Sequence, residues 1–175
     1  MMLLEKNRYG NWKNNIPSNF LEYLFSPAST QLRLVNFFFQ KICRLNSGVN
    51  FMLHYTSQAS GDIQIGAGVA RYMAGSGNCY FQGISGIIIG DNTMIAPGVK
   101  IISANHKLDD FKMHVKADPI VIGSNCWLGA NSVILPSCNL GNNVIVGAGA
   151  VVTKSFESNV VIGGNPAKVI RKLTH

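Results

Sequence analysis

Residues 122–154 read IGSNCWLGANSVILPSCNLGNNVIVGAGAVVTK, and their spacing decides the fold. An aliphatic residue returns every six positions, at Ile122, Leu128, Ile134, Leu140, Val146 and Val152. Gly follows four of them (Gly123, Gly129, Gly141, Gly147), and a small or β-branched residue stands four places after each of the first five: Cys126, Ser132, Cys138, Val144, Ala150. A helix repeats at about 3.6 residues and a strand at about 2, so neither yields a sustained period of six. A repeat this short cannot close a core alone; its rungs must stack and bury one continuous column. Two positions per hexad then point inward, the glycine is expected to turn the corner, and polar residues face water. An apolar loop rich in Gly and Asn would not keep one frame for so long.

Outside this stretch stand IGDNTMIAPGVKI, SANHKLD and GGNPAKVIRK, and within it IGSNCWLGANSVILP and VGAGAVVTK. With them the chain resembles the hexapeptide-repeat acyltransferases, and within them the O-acetyltransferases of the maltose and galactoside type that act on sugars and xenobiotics. The resemblance runs from about residue 89 to 172, in the family's order. It implies a left-handed parallel β-helix forming a single acyltransferase domain over 1–175. Its parts are an N-terminal helical segment (1–47), the β-helix (48–164) with an excursion loop at about 104–119, and a short C-terminal helix (165–175).

Composition agrees with a packed domain. At 175 residues the chain is long enough for a real core, and 47% hydrophobic against 13% charged residues argues against disorder. The net charge of +7 comes without a dense Lys/Arg run, so a polyanionic small molecule such as coenzyme A, or an anionic membrane surface, explains it better than nucleic acid. No run of 18 apolar residues and no signal peptide is found. The expected location is the cytoplasm, with the inner face of the membrane as the second possibility. Cys43, Cys79, Cys126 and Cys138 lack zinc-ligand spacing, and the last two fill the small inward slot.

Ser29-Thr30 can cap a helix running to about Asn46, with Leu34, Val35, Phe38, Phe39 and Ile42 on one face and Arg33, Lys41 and Arg44 making the other basic. Two placements stay open. The helix covers the first rung of the solenoid, or it lies on a membrane surface through residues 30–46. Counted backward, the aliphatic frame reaches Ile65 but puts Arg71, Gly77 and Gly83 in the inward slot. The companion slot holds better (Ile63, Val69, Gly75, Phe81, Ile87, Thr93, Val99), so 61–86 is read as degenerate rungs. The interval from Ile101 to Ile122 is not a multiple of six. A polar excursion must therefore leave the solenoid there, and loops on rigid scaffolds are where chemistry tends to sit.

The resemblance assigns roles within this frame. His106, at the root of the excursion, matches the family's general base, and HKLD places an acid, Asp109, three residues later. A sugar hydroxyl is a poor nucleophile, and a neutral imidazole within hydrogen-bond reach can take its proton as it attacks a thioester. Asp109 or a backbone carbonyl would fix the tautomer. His114 is read as a solvated side chain of the same loop, with contact to substrate as the alternative; nothing distinguishes His54 or His175. Asn165-Pro166 reads as an N-cap with proline at the first helical position, starting the C-terminal helix.

For the acyl donor, acetyl-CoA, the resemblance implies Trp127, Gly129, Ala130, Ala148, Thr153, Lys154 and Arg171, with Lys154 and Arg171 near the phosphates. For the acceptor it points to a polar residue one coil before His106, for which Gln82, Ser85 and Asn78 are the candidates. It also implies a homotrimer with active sites between subunits, a small-molecule or lipid-linked saccharide acceptor such as a cell-surface polysaccharide or glycolipid precursor, and no nucleic acid. No metal is expected, because the hexads of 122–154 carry no histidine for a site of the γ-type carbonic anhydrase kind. N-acetylation of an amino sugar, that metal enzyme, and a non-catalytic scaffold remain the alternatives.

Overall fold

The structure is a computed structural model that describes residues 30–115 and 117–174; residues 1–29 of the N-terminal segment, Lys116 and His175 lie outside the described residues. The first described element is α1 (Thr30–Phe37), which runs into one π-helical turn, Phe38–Ile42. Next come β1 (Gln58–Ile65), α2 (Ala70–Gly75) and β2 (Tyr80–Ile89). Short strands follow: β3 (Met94–Ile95), β4 (Lys100–Ile102), β5 (Ile120–Ile122), β6 (Trp127–Leu128), β7 (Val133–Ile134), β8 (Asn139–Leu140), β9 (Ile145–Val146), β10 (Val151–Val152), β11 (Val160–Gly163) and β12 (Lys168–Lys172).

These strands stack as three parallel ladders. The first face carries the start of β1, the start of β2, β4, β7 and β10; the second carries the ends of β1 and β2, then β5 and β8. The third carries β3, β6, β9 and β11. Ile122 pairs with Leu140 and Leu128 with Val146, so one coil is three hexads, one per face. Three hexads on from Ile101 stands Pro119, yet Ile101 pairs with Ile134, so the excursion is extra chain inserted into one coil.

Both inward slots are occupied as the period requires. Ile122, Leu128, Ile134, Leu140, Val146 and Val152 are buried, as are Cys126, Ser132, Cys138, Val144 and Ala150. The core column continues back through Val99, Thr93, Ile87, Phe81 and Val69. In the first coil α2 replaces the third-face strand, which is why Arg71 and Gly75 sit where the frame wanted strand residues.

The corners differ from expectation. Gly123 and Gly129 are not the residues with positive φ; an added Cβ on Gly123 would lie 2.6 Å from the backbone of Gly141, and one on Gly129 2.6 Å from Val146 O. These glycines let neighbouring coils touch. The left-handed corner is taken three places after each aliphatic residue, by Asn92, Gly98, Asn125, Asn131, Ser137, Asn143 and Gly149, all with φ between 56° and 77°. Asn adopts this conformation more readily than other residues with a Cβ.

The C-terminal helix expected over 165–175 is a strand. Residues 164–167 form a turn, and β12 pairs antiparallel with β11, Val161 opposite Arg171. The Asn-Pro signal is local, whereas β11 presents an open edge whose backbone groups need partners, and Val169-Ile170 suit a strand. The N-terminal helix also departs from its reading, ending at Ile42 and docking through its polar side: Asn36 and Gln40 are buried while Leu34, Phe38 and Ile42 are exposed.

Candidate active site

The excursion is an antiparallel arm rather than a loose loop. Val115 N–H donates to Asn105 O (2.8 Å) and Lys107 N–H to Met113 O (2.9 Å), while Asp110 accepts the Met113 amide across the turn (3.0 Å). His106 bridges to His114 across this arm, and the two imidazole centroids lie 4.4 Å apart. Both rings are exposed. His114 is exposed, as a solvated side chain would be, and its ring also contacts His106. Its signal was available: the two histidines flank a polar turn and face each other when the segment doubles back. Asp109 sits exposed near the arm's turn, and no hydrogen bond joins it to His106.

The root of the arm is held by the preceding coil. Gln82 is 9% exposed and its side-chain oxygen accepts the Ala104 amide (3.1 Å), while its backbone oxygen accepts Ser103 N–H (3.0 Å). Ser103 Oγ in turn accepts the Ser85 amide (2.9 Å). Gln82 and Ser85 therefore stand at the corner from which His106 departs. Asn78 does not. It occupies the corner before the first face, where Gly98 N–H donates to Gly77 O (2.9 Å).

The donor-site candidates divide in the same way. Ala130 and Ala148 lie on Asn78's corner, with Gly149 N–H donating to Ala130 O (2.8 Å) and Gly129 N–H to Val146 O (2.9 Å). Around Ala148-Gly149 the surface is bare backbone, and an added Cβ at Gly149 would meet nothing within 4 Å. Thr153 and Lys154 follow β10 at the other corner, below the arm, and the Lys154 ammonium sits 5.7 Å from the centre of the Phe156 ring. Trp127 projects from the third face, 47% exposed, flanked along the ladder by Met94 and Ile145. Arg171, in register with Val161, ends that ladder three strands beyond Trp127, on the order of 14 Å away at the usual strand spacing.

No thiol is poised to act as a nucleophile in this arrangement. Burial pushes the pKa values of Cys79, Cys126 and Cys138 up, which keeps them protonated and inert. Among the described residues no three His, Cys, Asp or Glu side chains converge as metal ligands. What remains is an exposed imidazole pair beside two neutral polar side chains, and separate cations and a bare backbone corner within reach of a long ligand. That set suits proton transfer from a hydroxyl more than redox or thiol chemistry.

Comparison with known proteins agrees with the repeat. Residues 119–154 match the family model of the bacterial transferase hexapeptide, six repeats. The galactoside O-acetyltransferase of Escherichia coli K12 is 39% identical over 90 residues, which is 50% of this chain and 44% of that one. A solved maltose O-acetyltransferase from Clostridium difficile 630 is similar at 35% identity and a TM-score of 0.55, over 65% of this chain and 60% of its own. A hexapeptide-repeat acetyltransferase from Vibrio cholerae, solved with acetyl coenzyme A, aligns at 27% identity and a TM-score of 0.59, over 68% and 64% of the two chains. The chain spans about half the length of the curated relatives it matches.

Proposed function

We propose that this relative of the hexapeptide-repeat acetyltransferases is itself an acetyl-CoA-dependent O-acetyltransferase acting on a sugar hydroxyl, with its coils wound left-handed as in that family. The observation that carries the reading is His106: an exposed imidazole, on an ordered arm, at the root of the excursion and beside Gln82 and Ser85. In this reaction His106 takes the proton of the acceptor hydroxyl as its oxygen attacks the thioester carbonyl. The tetrahedral intermediate then expels the coenzyme A thiolate, which takes that proton back from the imidazolium, leaving an acetyl ester and free thiol. A backbone N–H at the site stabilises the oxyanion.

The division of the candidates between two corners supports a site shared by two copies of the chain. His106, Thr153 and Lys154 stand on one edge of the first face; Asn78, Gly129, Ala130 and Ala148 stand on the other. A trimer sets one edge of each copy against the other edge of its neighbour. Pantetheine then lies along the bare Ala130 and Ala148 corner, with Trp127 against it and Lys154 and Arg171 on the phosphates. The acceptor is a saccharide, bound by Gln82 and Ser85 with Asn78 reaching in from the neighbour.

Two measurements test this. Titration of acetyl-CoA into the protein by calorimetry should give saturable binding that Trp127→Ala, Lys154→Ala weakens about tenfold or more. Release of coenzyme A thiol in the presence of a panel of sugars and amino sugars should fall by a factor of about 10² to 10⁴ in His106→Ala. Unchanged turnover in that variant would sink the mechanism.

A further inference from the structure

The helix at the start of the described chain is inside out. Asn36 is 0% exposed; its amide donates to Ala74 O (3.0 Å) and its side-chain oxygen accepts Tyr55 N–H (3.0 Å). One turn on, Gln40 donates to Phe51 O (2.8 Å) and accepts Leu53 N–H (3.3 Å). These two amides anchor the helix to the solenoid, each donating to a carbonyl and accepting from a backbone N–H. The opposite side carries Leu34, Phe38, Ile42 and Leu45, 66%, 51%, 62% and 48% exposed. The spacing of Leu34, Phe38 and Ile42 places them in one stripe along the helix, and Leu45 follows in the turn beyond it.

A soluble protein rarely leaves such a stripe without a partner. Its charge surroundings select the partner. Between residues 30 and 61 the sequence holds no Asp or Glu, while Arg33, Lys41 and Arg44 all lie in or beside the helix. Lys41 and Arg44 are exposed. A second copy docking here through the helix would set these cations against their own counterparts, with no acid from residues 30–61 to offset them. An anionic bilayer supplies both an apolar boundary and negative headgroups, and long basic side chains at the rim reach those headgroups while the apolar residues enter.

We propose that the outer face of this helix seats the protein on an anionic membrane surface. No helix among the described residues is long and apolar enough to cross a membrane, so this is contact in the plane of the interface. Leu45 also borders a cleft of about 440 Å³ between Tyr55 and Tyr80, with Ser60, Gln58 and Thr56 on its walls. Seating the helix therefore brings a polar, aromatic cleft to the level of the headgroups.

Flotation of the full chain with vesicles tests the proposal independently of any catalysis. The protein should float with vesicles of phosphatidylcholine and phosphatidylglycerol at low salt, and lose binding in high salt or with phosphatidylcholine alone. Leu34→Asp, Phe38→Asp should weaken binding about tenfold or more, and Lys41→Glu, Arg44→Glu should remove its dependence on anionic lipid. All four side chains are exposed, so circular dichroism and thermal unfolding should match the wild type. Absence of wild-type flotation overturns the proposal, whether residues 1–29 or another protein covers the stripe. Flotation unchanged by the substitutions overturns it too, as does a change in oligomer mass in these variants without vesicle binding.

Discussion

The imidazoles of His106 and His114 lie 4.4 Å apart with their planes tilted by 37°, each presented by an opposite limb of the same arm. His114 therefore packs against one side of the His106 ring. On the proposed mechanism, with His106 as base, replacing His114 with Ala should lower kcat for acetyl transfer by about tenfold to a hundredfold, because a loosened imidazole spends less time aligned with the hydroxyl. The KM for acetyl-CoA should stay unchanged. His114→Phe, which keeps a flat ring in place, should recover part of the loss; equal defects in both variants would exclude a positioning role.

Two hydroxyls in the same inward slot should respond in opposite ways. Thr93 Oγ1 donates to Gly123 O (2.8 Å) and accepts the Cys126 amide (3.1 Å), whereas buried Ser132 Oγ has no partner. Thr93→Val removes both bonds and should cost about 1–3 kcal/mol in urea unfolding. Ser132→Ala removes an unsatisfied group and should be neutral or stabilising by about 1 kcal/mol.

The glycines after the aliphatic residues should not be equivalent. At Gly123 a methyl would meet Gly141 backbone at 2.6 Å, but at Gly147 its nearest neighbour is Ile162 O at 3.3 Å. Gly123→Ala forces two coils apart and should destabilise by about 3 kcal/mol, within the usual range for overpacking. Gly147→Ala should stay within about 1 kcal/mol of wild type. Similar melting temperatures for the two variants would contradict the contact role.

Thiol labelling reads the core directly. Cys43 is exposed, while Cys79, Cys126 and Cys138 are buried and their pKa values raised by that burial. A raised pKa leaves these groups as neutral thiols as pH climbs past the ordinary cysteine range, so alkylation at mildly alkaline pH should modify only Cys43. Denaturant should release the other three. Modification of Cys126 in the native protein would mean that the coil opens.

The six-residue period was legible because burial enforces it: a residue in either inward slot, from Phe81 to Ile101 and again from Ile120 to Val152, has nowhere else to go. The corner residue was equally regular, yet Asn92, Asn125, Asn131 and Asn143 were read as solvated surface and the turn was given to glycine. Backbone conformation leaves a weaker mark on composition than burial does. The helix shows a different limit. Its pattern separated an apolar from a polar side but carried no information on which side docks, because Asn36 and Gln40 are satisfied by carbonyls and amides from residues 51–55 and 74. β12 was obscured for the same reason, since it depends on a partner strand rather than on its neighbours in sequence.

β12 has a consequence for how molecules can grow together. A stack of parallel coils invites another coil at its end, and two such ends meeting would lengthen into a fibre. Here the third ladder closes with a reversed strand whose five residues, Lys168–Lys172, include three cations and are all exposed. Matching ends repel, and the reversed polarity breaks the pattern an incoming coil would copy. End-to-end growth through this ladder is thereby disfavoured.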